Sequence, residues 1–259
     1  DKSTKVTYHY LNAQGDQANL NTMSQQLVQQ KNDLLVGIST PAAQALAKKT
    51  TTTPTLVTAV TDLKSAGLVK SNQQPNTNVS GTSDLTLVGL QLKLLASMSK
   101  GNKPLGIMYN SSEENSVLQV NLAKAYAKKH NLKLKVVSAT STNDVTSVLA
   151  GLTGKVSGLC LPTDNLMASA MKTIGQKAKT AKLPVVTGSI EMAEDGGTAT
   201  YGINYYDLGK QTGKMAYDVL VNHKKPQSMA VETSKKLLLD VNKANANSIG
   251  LATNQIKQP

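Results

Sequence analysis

One alternation constrains the fold more than any other feature of this chain. A short apolar run of strand length ends in small hydroxyl or carboxylate residues, and a stretch with helical spacing follows. Four junctions show it best: Leu34-Leu35-Val36-Gly37-Ile38 into Ser39-Thr40-Pro41, Leu56-Val57 into Thr58-Ala59-Val60-Thr61-Asp62, Gly106-Ile107-Met108 into Tyr109-Asn110-Ser111-Ser112, and Leu159-Cys160-Leu161 into Pro162-Thr163-Asp164-Asn165. Units of this size build a parallel sheet through right-handed crossovers. In such a sheet the segments leaving the carboxyl ends of the strands line a crevice, and ligands bind there. Ser, Thr or Asp before a helix caps its first turn, while the free N–H groups and positive dipole end favour an anion. The layout suits a small polar or zwitterionic ligand.

Strands are expected at 6–10, where Val6, Tyr8 and Tyr10 alternate with polar residues, then at 34–38, 55–60 and 79–82. Helices are expected at 19–31, 41–49, around 63–66 and at 85–99. Lys100-Gly101-Asn102-Lys103-Pro104 then breaks the pattern, and the series restarts. Strands at 105–109, 133–138, 156–161 and 184–187 alternate with helices at 115–130, 143–151 and 165–181. A less regular section follows: strand 198–203, helix 207–222, two strands at 229–232 and 237–241, and helix 242–248. Two series separated by a break predict an α/β protein of two doubly wound lobes, 1–103 plus 205–228 and 104–204 plus 229–259. A doubly wound lobe places its first strand centrally, yet this chain opens on an outer one, so a first strand and helix are expected to be missing.

The 28 basic residues against 16 acidic ones give a net charge of +12, and every cation is lysine. Nucleic-acid readers depend on Arg forks and aromatic platforms; Arg, Phe and Trp are all absent here. The lysines come as scattered pairs, the pattern of a solvated face, and no nucleic-acid partner is expected. No apolar run approaches the roughly 18 residues of a membrane span, and Asp1-Lys2-Ser3-Thr4-Lys5 has no signal-peptide core. Cys160, the one cysteine, falls inside a predicted buried strand and reads as a small packed residue. There is no Gly-x-Ser-x-Gly elbow, His-Glu-x-x-His, Walker loop or Gly-x-Gly-x-x-Gly opening a helix. The histidines, His9, His130 and His223, are dispersed. No enzyme activity, cofactor or metal is expected.

Several tracts together resemble a known family: Asn12-Ala13-Gln14-Gly15-Asp16, Gly37 to Gln44, Thr58 to Asp62 with Ala66-Gly67-Leu68-Val69, Asn78 to Asp84, Tyr109 to Glu113, Pro162 to Asn165, and Gly202 to Gly209. Their order and spacing are similar to the substrate-binding lipoproteins of ABC transporters of the tryptophan/tyrosine type. That resemblance implies a type I periplasmic-binding-protein fold, a ligand clamped between two hinged lobes, and delivery of an amino acid, aromatic in this family, to a permease. It also implies an extracytoplasmic, lipid-anchored monomer whose anchor lies outside this chain. Val57 stands where the family tends to carry Phe, and Leu63 where it tends to carry Pro. A ligand-sensing domain of similar fold that takes a sugar or nucleoside is the alternative.

For an amino-acid ligand, the Ser39 and Thr40 hydroxyls, with Pro41 and the N–H groups of Ala42 and Ala43, are the expected carboxylate site. Thr58, Ala59 and Thr61 would extend it. Asp164, beside Asn165, is the first candidate for the ammonium, with Glu191 the second. Tyr109 would wall the side chain, with Asn110 and Ser111 adding polar contacts. For Ser39, Thr40 and Asp164 the bland alternative is helix capping, and for Tyr109 it is core packing. Of Tyr201, Tyr205 and Tyr206, hinge packing is expected.

Overall fold

A computed structural model describes residues 5–234 and 236–259. The strands form two sheets. The first is wholly parallel, in the order β1 (Leu35–Ile38), β2 (Thr55–Val60), β3 (Val79–Ser83), β9 (Glu232–Thr233). The second runs β10 (Leu238–Val241), β8 (Ala199–Ile203), β7 (Val185–Ser189), β6 (Gly158–Leu161), β4 (Leu105–Tyr109), β5 (Leu134–Ser138), and only β10 is antiparallel.

Both sheets carry helices on both faces, so their strands read as continuous apolar runs. In the first sheet Val57 faces a cluster with Ala43 of α2 (Thr40–Ala47) and Val79, while its neighbour Leu56 faces Met215 and Val219 of α9 (Tyr205–Leu220). The second sheet divides in the same way with period two. Ile107, Cys160 and Val186 pack under α3 (Val88–Met98) and α4 (Glu114–Lys129). Met108, Leu159, Leu161 and Val185 pack on the other face, against α5 (Thr142–Leu152) and α7 (Met171–Thr180). The remaining helices are α1 (Gln17–Gln29), α6 (Asn165–Ser169), α8 (Ile190–Asp195) and α10 (Lys243–Ser248).

The expected lobe boundaries shift in two places. Helix α3 packs on β6, β7, β8 and α4, so the chain crosses to the second lobe at 84–87, and the Gly/Pro break at 101–104 is a turn inside that lobe. The cause is the apolar face of α3, on which Leu92, Leu94 and Leu95 are buried to within 1 %. Helix α9 covers β2 and β3, so the chain returns to the first lobe at Asn204. Strand β9 then pairs with β3, which keeps 229–233 in the first lobe and places the third crossover between β9 and β10.

Smaller differences have local causes. Residues 6–10 are not a strand: they are exposed and pair with no other segment among the described residues, and an extended run becomes a strand only through a ladder. Strand β1 is the edge of its sheet, with Val36 47 % and Ile38 57 % exposed. The helix expected around 63–66 is a turn held by Ser65 N–H donating to Asp62 Oδ1 at 2.6 Å. The one expected at 165–181 breaks at Ala170 into α6 and α7, and α8 fills a stretch between two expected strands for which no element is expected.

Candidate ligand cleft

The carboxyl ends of the two sheets face one another. Thr61, just past β2, has its Oγ1 3.3 Å from Oγ1 of Thr163, just past β6. Gln44 of α2 donates from Nε2 to Glu114 Oε2 of α4 at 2.8 Å. These bonds bridge the lobes, so the strand ends singled out by sequence form two opposed walls.

In the first wall, two expected site residues hold backbone conformations that L side chains rarely adopt: Ser39 with φ 84° and Ala59 with φ 53°. Such outliers persist only where the surroundings enforce them, and they concentrate at binding and active sites. Ser39 occupies the N-cap position of α2 without making a side-chain capping bond, so the capping alternative does not account for its hydroxyl. Thr40 is buried, with Pro41 and Ala42 half-buried behind it. The register between β2 and β3 slips between Val57 and Val60, around Ala59, and the irregularity sends the two threonines to different partners. Thr58 Oγ1 accepts from Thr82, whose hydroxyl lies 2.8 Å from that of Thr212 on α9. Thr61 turns to the opposite lobe.

In the second wall Asp164 does not have the environment expected of an ammonium site. Its Oδ2 accepts from Asn110 N–H at 2.6 Å and its Oδ1 from Met167 N–H at 2.9 Å, so it caps α6 and ties β4 to β6. Burial, then the negative charge of Glu113, push its carboxyl up to about 6. Glu113 is equally engaged: Oε1 accepts from Asn110 Nδ2 and Leu166 N–H, and Oε2 from Asn115 Nδ2 and from both nitrogens of Asn165. Asn110 and Asn165 therefore serve this buried scaffold. Ser111 is exposed, and Tyr109 is half-buried against the cluster beneath α3 and α4, as its core-packing alternative required. Gln119 accepts Thr163 N–H and donates to Thr163 O, which fixes the loop that meets Thr61.

Between the walls, the crossovers bring together a constellation that the sequence reading did not assemble. Asp84, the first residue after β3, is 2 % exposed. The phenol of Tyr205, the first residue of α9, donates to Asp84 Oδ2 at 2.8 Å, and Tyr205 N–H donates to Glu191 Oε1 at 2.9 Å. Burial raises the Asp84 carboxyl, and the Tyr205 phenol, with the Thr61 hydroxyl nearby, offsets part of that rise. Burial and the charge of Asp84 also raise Tyr205 well above a free phenol, so it is a neutral donor. Asp84 Oδ1 and Glu191 Oε2 are buried without a hydrogen-bond partner. The available signal was the carboxylate closing the tract Asn78 to Asp84 at a strand end. Tyr206 is 75 % exposed under Lys210, whose Nζ is 5.2 Å from the ring centre.

Among the described residues no three His, Cys, Asp or Glu side chains gather as metal ligands, and no helix is long and apolar enough to cross a membrane. Cys160 is buried, and its thiol is pushed up to about 12 by burial, which is no setting for a nucleophile.

Two doubly wound, mostly parallel lobes, linked by three crossovers and meeting at their strand ends, define a two-lobed binding protein of the type I periplasmic fold. The chain belongs to the ABC transporter substrate-binding protein family, whose model matches residues 1–256, and that family is one of binders, not enzymes. A tyrosine-binding protein of Clostridioides difficile (strain R20291) is 37 % identical over 215 residues, 83 % of this chain and 62 % of the relative. The chain thus spans less than two thirds of that curated relative's length. Among solved structures, the ABC domain from Streptococcus pneumoniae in complex with L-Trp is 38 % identical, with TM-score 0.90 over 95 % of this chain and 85 % of that one. A ligand-free, open substrate-binding protein with adhesive properties from Clostridium difficile is 40 % identical, with TM-score 0.69 over 94 % of this chain and 82 % of that one. At similar identity and coverage, the chain as a whole superposes better on the L-Trp complex than on the open, ligand-free protein.

Proposed function

We propose that this protein captures an aromatic amino acid between its lobes and delivers it to the permease of an ABC importer, as an extracytoplasmic, lipid-anchored monomer. The observation that carries the reading is the overall likeness to the L-Trp complex, with TM-score 0.90 against 0.69 for the open, ligand-free relative. The ligand carboxylate is assigned to the Ser39 and Thr40 hydroxyls and the first N–H groups of α2, and the side chain to the space between the two walls. Closure is selected because the ligand touches both walls at once. A ligand shifts a two-state equilibrium only by its differential affinity for the two states, and contacts such as Thr61 to Thr163 exist only when the lobes meet.

Calorimetric titration of the full chain against the twenty amino acids, nucleosides and simple sugars tests this reading. Tight binding of tyrosine, tryptophan or phenylalanine, with a fall in radius of gyration, is expected. Binding of a sugar or nucleoside with no amino acid bound would replace it with the sensing-domain alternative.

A further inference from the structure

The geometry points to Asp84 as the acceptor of the ligand's α-ammonium. The inference rests on the amino-acid reading above and adds a residue and a role to it.

Three carboxylates are buried near the strand ends, and they are not alike. Every oxygen of Asp164 and Glu113 accepts N–H donors of the protein. Asp84 is 2 % exposed and accepts the Tyr205 phenol on Oδ2, but its Oδ1 has no partner. Among the described residues no cation compensates it. The ion pairs among the described residues are Lys210 with Asp207 and Lys224 with Asp218, both on the surface of the first lobe. A buried carboxylate without a counter-charge is retained at a cost in stability unless a cation arrives from outside.

Its position says what that cation is. Asp84 stands at the first crossover, Tyr205 at the second, Thr61 in the first wall and Glu191 in the second lobe, so the carboxylate sits where the walls converge. A hard divalent ion requires six or more oxygens, several of them anionic, and the cluster here falls short of three acidic or imidazole ligands. One carboxylate oxygen flanked by neutral hydroxyls suits a monovalent primary ammonium, with N⁺–H donating to Oδ1. Glu191 also keeps an unpartnered oxygen, Oε2, but it is only half-buried and its Oε1 orients Tyr205 through the main-chain N–H. The more deeply buried Asp84 is therefore assigned the ammonium, and Glu191 is the competing carboxylate in the test.

The test compares L-tryptophan and L-tyrosine with 3-indolepropionate and 3-(4-hydroxyphenyl)propionate, which lack the amine, by calorimetry on the wild-type chain, Asp84→Asn and Glu191→Gln. Wild type should prefer the amino acids. Asp84→Asn should weaken them by about 10- to 150-fold, the range of a charged hydrogen bond, and leave the des-amino acids within about threefold. Ligand-free Asp84→Asn should melt no lower than wild type, because a neutral amide replaces an uncompensated charge while still accepting from Tyr205. An Asp84→Asn chain that keeps the preference, or loses both ligand types equally, overturns the assignment, as does loss of the preference in Glu191→Gln alone. Failure of wild type to bind any amino acid is a different result: it removes the functional reading itself.

Discussion

The Asp164 carboxyl should make the protein more stable in mild acid than at neutral pH, which is opposite in sign to an ordinary salt-bridged aspartate. Burial and Glu113 lift it from 3.8 to about 6. The folded state therefore binds this proton more tightly than the unfolded state, and stability falls as pH rises through the folded value. Its contribution is fully present below pH 3.8 and is lost by about pH 7. With those two values, the linkage relation gives a loss of about 1.4 kcal/mol between pH 5 and pH 7.5, and about 3 kcal/mol over the whole range.

Urea denaturation at pH 5.0 and 7.5 reads the effect. Far-UV circular dichroism is the probe to use, because the chain has no Trp. The comparison that isolates the group is wild type against Asp164→Asn. The variant keeps the cap to Met167 but offers an amide instead of an oxygen to Asn110 N–H, at a cost of about 1–3 kcal/mol that does not depend on pH. Other carboxylates, Asp84 included, are common to both proteins and cancel to first order. The difference in stability between pH 5.0 and 7.5 should be about 1.4 kcal/mol smaller in the variant. A variant with the same pH slope as wild type, or a wild type whose advantage over the variant grows with pH, would refute the assignment of Asp164 as a buried, charge-opposed acid.

Three further outcomes follow from the geometry. Thr61→Val deletes the bridge to Thr163 and a hydroxyl that supports Asp84; ligand affinity should fall about fivefold, or roughly 1 kcal/mol, and small-angle scattering should show a larger ligand-free radius of gyration. Gly81 has φ 153° and lies against β2, where an added Cβ would meet Val57 O at 2.0 Å and Val57 N at 2.6 Å; Gly81→Ala should cost about 3 kcal/mol or more on a denaturation curve, and an unchanged midpoint would show that the strands separate freely. Cys160, 2 % exposed with its thiol pushed up to about 12, should not react with a thiol reagent at pH 8 until denaturant is added.

Much of the fold was legible because strand and helix periodicities are local. The extents of β2 and β4 match their expected spans, and the two-face partition of Ile107 from Met108 follows from the alternation of side chains along a strand. Helix α3 was placed in the wrong lobe because an amphipathic helix specifies that it will be covered, not which sheet will cover it. Residues 6–10 carry a strand pattern without a ladder, and no pattern within a segment supplies a partner. In the first wall Ser39, Thr40, Ala59 and Thr61 stand at the strand ends where the sequence placed them, because the end of a strand is a local feature. In the second wall the sequence left Asp164 between ammonium binding and helix capping, because a carboxylate at a strand end looks the same whether its oxygens face a ligand or two main-chain amides; the structure shows the cap.

By itself, then, the sequence determined the class of molecule: its units, their order, two lobes and a row of polar strand ends, all of which rest on residues adjacent in the chain. Tertiary structure alone decided which carboxylate lacks a partner. Asp84 and Tyr205 are 121 residues apart in the chain, and Thr61 and Thr163 are 102 apart. Their meeting depends on how two sheets and three crossovers pack. Desolvation and hydrogen-bond satisfaction are set by those distant neighbours, and so Asp164 has both oxygens engaged while Asp84 keeps one unpartnered.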